Sequence, residues 1–246
     1  MQRNKRLRVF AGPNGSGKST LFEEFRKNYD PGYFINADEL EKKLATSGLI
    51  DLSEIGIKTS QKDLEEFTRT KGAKSMIAKS SQEGHIINIE IKENFIVDIS
   101  RDTHSYEASF SAAFIRWLLY KNNKSFSFET VMSHPSKIDE IKKAKQLGYK
   151  TYLYFVCTED PQINVKRVAN RENKGGHKVA VSKIKSRYIP SLKNLYAMVQ
   201  VCDRAFFFDN SSKQLRLIAE TFNGILKVKV SSVPAWFVEY VLVYYN

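Results

Sequence analysis

The chain of 246 residues has few cysteines, fewer acidic than basic residues, and no long hydrophobic run. Its two cysteines, Cys157 and Cys202, are too few for a disulfide framework and favour a reducing cytoplasm. The best candidate for a membrane span, residues 235–245, is short and contains Glu239, so no transmembrane helix is expected. The apolar run at residues 7–10 is also too short for the core of a signal peptide.

A zinc-ligand pattern is lacking as well. His85, His104 and His134 have no partner at a zinc-binding spacing, and the two cysteines are too far apart in sequence to add one. No zinc site is therefore predicted.

What is present is an ordinary globular composition with an excess of positive charge. Hydrophobic residues make up 42% of the chain and charged residues 27%, which excludes wholesale disorder. Thirty-nine Lys and Arg against 27 Asp and Glu give a net charge of +12. This charge favours polyanionic partners, namely nucleic acid, an acidic membrane surface or substrates with several phosphates, but does not choose among them.

Short apolar runs alternate with helical stretches along the chain. Strands are predicted at residues 6–11, 33–36, 125–130, 151–157 and 204–208. Helices are predicted at residues 19–28, at 137–147 behind a Ser136–Asp139 capping box, after Asp160 with Pro161 in first position, and from Ser182 toward residue 199. This alternation predicts an α/β fold with a doubly wound, mainly parallel sheet.

One segment interrupts the alternation, and we predict a single domain over residues 1–246 with an inserted α/β segment at about 58–120. The insertion is expected to contain a helix at 58–79, a hairpin around residues 92–94 and a helix at 107–120. A C-terminal hairpin plus helix is predicted at about 215–246, with Asn223-Gly224 as the turn.

The strongest motif is G-x-x-x-x-G-K-[ST], placed between the first strand and the first helix. The nucleotide-binding residues that it predicts are Gly12, Pro13, Asn14, Gly15, Ser16, Gly17, Lys18, Ser19 and Thr20. The glycines let backbone amides face phosphate oxygens, Lys18 reaches the β and γ phosphates, and Ser19 offers a hydroxyl to Mg²⁺. The fold class is therefore a P-loop NTPase that binds a nucleoside triphosphate, with ATP and Mg²⁺ as the expected cofactors.

A kinase also needs a base near the acceptor hydroxyl. Asp38 ends the second predicted strand, and ligands of open α/β sheets gather beyond the carboxyl ends of the strands. The alternative is that Asp38 caps a helix that starts at Glu39, and both roles are compatible.

A second carboxylate, Glu129, closes the third predicted strand and is followed by Thr130. A carboxylate there can bind Mg²⁺ through water or hold substrate hydroxyls, and Glu129 and Thr130 are taken as substrate-binding residues. The competing acid, Asp98, lies in the insertion and is expected on the surface.

Two pairs of basic residues share helix faces, Arg167 with Arg171 and Lys183 with Arg187. Their helices are joined through Gly175-Gly176-His177 and are predicted to form a lid over the triphosphate. Arg167 and Arg171 are the catalytic candidates because they can neutralise charge on the transferred phosphoryl group. A solvated basic face is the alternative.

Several sequence blocks together resemble zeta-toxin-like P-loop kinases. The blocks are AGPNGSGKST at 11–20, NAD at 36–38, ETVMSHPSK at 129–137, LYFV at 153–156, RVANR at 167–171, GGHKV at 175–179 and FDNS at 208–211. The branch resembled is the one often described as a predicted ABC-type ATPase, although the chain has no ABC signature sequence.

The resemblance implies ATP-dependent phosphorylation of a sugar hydroxyl of UDP-N-acetylglucosamine. Carried over, Asp38 is the base, Glu129 contacts the acceptor sugar, Lys18 and Ser19 serve ATP and Mg²⁺, and Arg167 is a lid arginine. The family's second lid arginine would stand near Gly175-Gly176-His177, so its role passes to Arg171 or is absent. A nucleotide or nucleotide-sugar substrate and an antitoxin protein are the expected partners.

Two alternatives stay open. One is a polynucleotide or nucleoside kinase, which the net charge of +12 permits, although nucleic acid is not the favoured partner. The other is an ATP-controlled binding module without phosphotransfer.

Overall fold

A computed structural model describes residues 5–101, 105–176 and 179–245 of the chain. The strands are β1 (Arg6–Ala11), β2 (Tyr33–Ile35), β3 (Leu49–Asp51), β4 (Ile89–Lys92), β5 (Phe95–Asp98), β6 (Phe126–Thr130), β7 (Lys150–Cys157), β8 (Arg204–Asp209), β9 (Arg216–Phe222) and β10 (Ile225–Val228). The α-helices are α1 (Lys18–Asn28), α2 (Ala37–Ser47), α3 (Gln61–Thr68), α4 (Lys71–Gln82), α5 (Ser105–Lys121), α6 (Ser136–Gln146), α7 (Pro161–Glu172), α8 (Val181–Lys193), α9 (Leu195–Val201) and α10 (Ala235–Tyr240). Short 3₁₀ helices span Ser53–Ile55 and Leu242–Tyr244. Within the described residues, no helix is long and apolar enough to cross a membrane.

The structure divides into two compact units. The first comprises the chain up to Gly32 and from Ser125 onward, and its strands are hydrogen-bonded in the order β10-β9-β8-β7-β1-β6. Strands β6, β1, β7 and β8 run parallel, while β9 and β10 are antiparallel additions at the edge.

Helices cover both faces of this sheet. On one face Phe10 stacks on Tyr154 at a centroid distance of 4.9 Å and meets Phe22 of α1 at 5.2 Å. On the other face Phe207 meets Phe237 of α10 at 5.1 Å. Since successive side chains of a strand point to opposite faces, a buried parallel strand must be apolar almost throughout, as five of the six residues of β1 are buried. The predicted α/β class with a mainly parallel sheet is confirmed.

Local signals in the first unit explain several element boundaries. The side chain of Asp160 accepts a hydrogen bond of 2.7 Å from the backbone N–H of Gln162, and Pro161 opens α7, as predicted. The turn between β9 and β10 has positive φ at Asn223 (48°) and Gly224 (78°), the conformation of a two-residue hairpin turn. The hairpin of β9 and β10 and helix α10 lie in the segment for which a C-terminal hairpin plus helix is predicted.

The second unit, Tyr33–Lys124, has its own core. It contains a small antiparallel sheet in the order β3-β5-β4, whose β4–β5 turn has positive φ at Glu93 (48°) and Asn94 (71°). The Phe67 ring lies 5.2 Å from Phe110 and 5.4 Å from Phe114, which packs α3 against α5. The predicted single domain with an insertion at 58–120 stays a prediction, and this unit is the part of the chain that contains that segment.

Two local predictions in the second unit differ from the structure. The helix predicted at 58–79 is two helices, because Thr70 caps a new start by accepting from the N–H of Ala73. Asp98, expected on the surface, is only 1% exposed and its carboxylate accepts from the hydroxyl of Ser100 at 2.7 Å. The expectation for Asp98 was therefore wrong.

The predicted starts of two helices in the first unit were also wrong. Ser136 lies inside α6, whose cap position is Pro135, and the Ser136 hydroxyl pairs with Nδ1 of His134 at 2.9 Å. Helix α8 starts one residue before Ser182. It ends at Lys193, beyond Pro190, and α9 follows as a separate helix.

Candidate active site

The P-loop, residues 12–19, connects β1 to α1 in a backbone conformation that requires glycine. Gly12, Gly15 and Gly17 have φ values of +141°, +76° and +106°. A Cβ at Gly12 would lie 2.0 Å from the carbonyl oxygen of Val156, and one at Gly15 would lie 2.6 Å from that of Asn164. The loop therefore packs closely against the end of β7 and against α7.

Lys18 is the first residue of α1 and is only 5% exposed. Its Nζ donates to the carbonyl oxygen of Pro13 at 3.0 Å and lies 3.6 Å from Oε1 of Glu129. The loop carbonyl and the carboxylate thus hold a buried ammonium group at the N-terminal end of a helix, a place that also favours phosphate.

Glu129 is brought to the P-loop by the parallel pairing of β6 with β1. The register places Phe10 opposite Glu129, and the hydroxyl of Ser19 donates to Oε2 of Glu129 at 2.9 Å. The next residue, Thr130, accepts from the N–H of Gly12 through its carbonyl oxygen at 3.3 Å. The Thr130 hydroxyl accepts from the N–H of Met132 at 3.2 Å.

Buried polar atoms in the P-loop test whether a polyphosphate fits. Oδ1 of Asn14 and Oγ of Ser16 are buried and have no hydrogen-bond partner within the described part of the chain. Ser16 is fully buried, so its hydroxyl lacks water as well. An unsatisfied hydroxyl in a glycine-rich loop that also carries a buried lysine fits a phosphate group.

The donor set beside the loop also fits Mg²⁺. Across the described ranges no group of three or more His, Cys, Asp or Glu side chains is placed to hold a metal ion. Mg²⁺ in nucleotide sites needs fewer, because phosphate oxygens and waters complete its shell around one or two protein oxygens. The Ser19 hydroxyl and the Glu129 carboxylate are two such oxygens, and they already touch.

Asp38 belongs to the second unit, in the first turn of α2 after β2. The cap of this helix is Asn36, whose side chain accepts from the N–H of Asp38 at 2.9 Å. The helix starts at Ala37, so the expectation that Asp38 caps a helix from Glu39 was wrong. A catalytic role for the Asp38 carboxylate stays a prediction.

The two lid arginines differ in their surroundings. Arg167 is half-buried and its Nη2 donates to the carbonyl oxygen of Ser212 at 3.2 Å. Its Nη1 is buried without a hydrogen-bond partner among the described residues. One residue along α7, Val168 approaches the P-loop, since its Cγ2 would lie 3.0 Å from a Cβ at Gly15. Arg167 therefore projects from a helix that contacts the P-loop.

Arg171 is exposed, and its carbonyl oxygen accepts from the N–H of Gly176 at 2.9 Å. His177 lies outside the described residues. On α8, Lys183 is exposed and Arg187 is half-buried. A lid formed by these basic residues stays a prediction.

Sequence reasoning gave no role to Asn210, which contacts the P-loop directly. Its Nδ2 donates to the carbonyl oxygen of Ser16 at 2.7 Å, and a Cβ at Gly17 would lie 2.3 Å from that nitrogen. Two residues on, Ser212 receives the hydrogen bond from Arg167. The segment after β8 therefore ties both the loop and the lid helix. The available signal was the position of Asn210 just beyond the carboxyl end of a parallel strand.

Comparison with known families decides the membership of this chain. The sequence model of the zeta toxin family matches residues 90–220, more than half of the chain. The chain belongs to the zeta toxin family. The resemblance noted from the sequence blocks is confirmed, and it supports the predicted kinase class. The P-loop precedes the matched segment, so its geometry is an independent observation.

Solved structures share the fold of this zeta toxin family chain. A chain in the crystal structure of AvrRxo1-ORF1:AvrRxo1-ORF2 with sulphate ions has a TM-score of 0.54 at 15% identity, over 92% of this chain and 61% of that one. The structure of the same pair with ATP gives 0.53 at 15% identity, with the same coverage. The PezAT chromosomal toxin–antitoxin system of Streptococcus pneumoniae gives 0.50 at 11% identity, over 96% and 77%.

One curated relative is an uncharacterized protein of Haemophilus influenzae, 32% identical over 68 residues. The matched part covers 28% of this chain and 49% of the relative, so the chain spans about half of the length of that protein.

Proposed function

We propose that this chain is an ATP-dependent kinase of zeta toxin type that phosphorylates a sugar hydroxyl of a nucleotide sugar such as UDP-N-acetylglucosamine. The observation that carries the proposal is the contact of Glu129 with both Lys18 and Ser19 at the P-loop. These side chains are arranged to serve a triphosphate and its metal ion together. The crystallisation of the AvrRxo1 pair with ATP supports ATP as the donor.

The residues of the loop bind and orient the donor. Backbone amides of the P-loop cradle the phosphates, and Lys18 offers its ammonium group to the β and γ phosphates. Ser19 and Glu129 would hold Mg²⁺, which when bound neutralises charge on the phosphate oxygens. The Nη1 of Arg167 is suited to the transferred group, because it is buried and has no hydrogen-bond acceptor among the described residues, while Nη2 donates to Ser212.

The acceptor side of the reaction rests on Asp38 and Thr130. Asp38 would accept the proton of the attacking hydroxyl, and the family resemblance assigns it this role. Glu129 was predicted as a substrate-binding residue, but its hydrogen bond with Ser19 favours the metal side of the site. Thr130, with its hydroxyl engaged by Met132, would contact substrate only after that bond is exchanged.

An antitoxin protein is the proposed partner. The support is that a structure of similar fold belongs to a toxin–antitoxin system.

Two other functions fit the P-loop: a polynucleotide or nucleoside kinase, and an ATP-controlled binding module. The net charge of +12 is the observation that favours the first of these.

The proposal is tested by a transfer assay with γ-labelled ATP over a panel of nucleotide sugars, nucleosides and 5′-hydroxyl oligonucleotides. We expect label on nucleotide sugars only. Asp38→Asn should keep the affinity for ATP and lower transfer by roughly 10² to 10⁴-fold, or about 3 to 5 kcal/mol of barrier, the usual effect of losing a general base. Lys18→Ala should lose transfer and weaken ATP binding, while the exposed Asp139→Asn should change neither.

Each outcome separates the candidates. Label on oligonucleotides or nucleosides instead of sugars would establish the alternative kinase. ATP binding without transfer to any acceptor would establish the binding module. Transfer by Asp38→Asn at the parental rate would remove Asp38 from catalysis.

A further inference from the structure

A cleft of about 320 Å³ opens at the end of the sheet opposite to the P-loop. It is lined by Arg6, Lys150, Tyr152, Asp203, Arg204, Phe222 and Asn223. Arg6, Lys150 and Arg204 are the first residues of the parallel strands β1, β7 and β8, whereas the P-loop follows the last residue of β1. Six residues of strand at about 3.3 Å each separate the two places by about 20 Å.

The strand register puts a row of alternating cations and rings across this end of the sheet. Arg8 pairs with Tyr152, Tyr152 with Arg204, and Arg204 with Phe222, so the four side chains share one face. The Arg8 guanidinium lies 5.7 Å from the Tyr152 ring, and that of Arg204 lies 5.8 Å from the Phe222 ring. The row is an aromatic surface with positive charge built into it.

Phe222 is 58% exposed. An exposed Phe ring contributes little to the stability of the fold, because most of its apolar surface stays in contact with water. It offers a flat platform on which another planar group can stack.

The cleft also carries a surplus of positive charge. Arg6 and Lys150 are exposed and neither has an ion-pair partner among the residues that the structure describes. Arg204 is paired with Glu220 at 2.6 Å, and this ion pair holds the guanidinium over the rings of Phe206 and Phe222. The acidic member, Asp203, is already occupied by the N–H and hydroxyl of Thr151, at 2.7 and 2.9 Å, and by Lys145 at 3.3 Å.

We propose that this cleft binds single-stranded nucleic acid and holds one nucleotide of the strand, at a site separate from the P-loop. Phosphates would lie against Arg6 and Lys150, and a base would stack on Phe222 beside Tyr152. Stacking on an exposed ring requires an unpaired base, which favours a single strand over a duplex. The side-chain amide of Asn223 can donate to and accept from a base edge.

The test is fluorescence anisotropy of the full chain with a labelled 12-nucleotide RNA of mixed sequence, with saturating ATP present. Phe222→Ala should weaken binding by about tenfold, and Phe222→Tyr should restore it, because a stacked base contributes through the ring face. Lys150→Ala should weaken binding and lower the slope of log K against log salt by about 0.7, the value for one phosphate contact with a single strand.

Matched controls are Tyr244→Ala, another half-exposed ring, and Lys142→Ala, another exposed lysine, and neither should affect binding. Lys18→Ala should bind the RNA as the parent does, which separates this site from an acceptor site for phosphotransfer. Equal losses in the controls, unchanged binding by Phe222→Ala, or a duplex bound as tightly as the single strand would overturn the proposal. Circular dichroism melting of Phe222→Ala and Lys150→Ala checks that both variants fold.

Discussion

The hydroxyl of Ser19 donates a 2.9 Å hydrogen bond to Oε2 of Glu129, across 110 positions of sequence. Oε1 of the same carboxylate lies 3.6 Å from the ammonium group of Lys18. The carboxylate therefore links the two P-loop side chains that the motif assigns to the metal ion and to the phosphates. The Ser19 hydroxyl and the Glu129 carboxylate are therefore neighbouring oxygens beside the loop, the pair that we propose for Mg²⁺.

The first prediction concerns Glu129→Gln. An amide keeps the hydrogen bond from Ser19 but loses the negative charge that attracts Mg²⁺. We expect the Mg²⁺ concentration for half-maximal transfer to rise by about tenfold or more, with a smaller change in the KM for ATP. The measurement is a Mg²⁺ titration of the transfer rate at fixed free ATP.

Glu159→Gln is the matched control, since Glu159 is an exposed carboxylate in the same unit. Its Mg²⁺ requirement should equal that of the parent. If Glu129→Gln needed the same Mg²⁺ concentration as the parent, Glu129 would be assigned to substrate binding and not to the metal ion.

The second prediction compares Arg167 with Arg171. Arg167 has a buried Nη1 without a hydrogen-bond partner in the described part of the chain, while Arg171 is exposed. If Arg167 stabilises charge in the transition state, Arg167→Ala should lower kcat by roughly 10³-fold and change the KM for ATP little. Arg171→Ala should have an effect at least tenfold smaller.

Steady-state rates at varied ATP give both constants for the two variants. Lys166→Ala, an exposed cation on the same helix, controls for general loss of positive charge. An effect of Arg167→Ala confined to KM would assign this residue to ground-state binding alone.

Much of the site was predictable because its signals are local in sequence. The P-loop needs glycine at fixed positions, and an apolar run before it with a helix after it identifies the parallel sheet. Asp160 and Pro161 likewise fix the start of α7 by local hydrogen bonding and backbone geometry.

The rest depends on contacts between distant residues. Glu129 contacts Ser19 and Lys18 because β6 lies next to β1 in the sheet. The sequence of β6 does not specify which strand will be its neighbour. Asp98 looked like a surface acid because the sequence does not show that its segment packs beside Gly48, whose carbonyl oxygen accepts from the N–H of Asp98 at 2.9 Å. The role of Asn210 was missed for the same reason, since 194 positions separate it from Ser16.

The third prediction compares two glycines, both with positive φ. A Cβ at Gly12 would lie 2.0 Å from a backbone oxygen, so Gly12→Ala must displace β7 or the loop. At Gly148, with φ of +80°, a Cβ would meet nothing within 4 Å, and only backbone strain remains. We expect Gly12→Ala to lower the free energy of unfolding by about 3 kcal/mol and Gly148→Ala by about 1 kcal/mol.

Urea unfolding followed by circular dichroism measures both values. Gly12→Ala should also lose ATP binding, which Gly148→Ala should keep. Equal stability of the two variants would mean that the loop yields to a methyl group without strain.

The last prediction concerns the pH dependence of stability through Asp203. Burial by itself raises the pKa of this carboxyl, but the hydrogen bonds from the N–H and hydroxyl of Thr151 and the charge of Lys145 outweigh it, so its pKa is lowered on folding. A carboxyl whose pKa is lower in the folded state stabilises the fold fully above its unfolded pKa of about 3.9. That contribution is lost as the pH falls through the lower, folded value.

We therefore expect Asp203→Asn to unfold at a lower urea concentration than the parent at pH 7, with the difference constant down to about pH 5 and shrinking below about pH 4. Asp139→Asn, at an exposed carboxyl, should track the parent across the series. A gap between parent and Asp203→Asn that is independent of pH from 3 to 8 would show that the loss arises from packing and not from charge.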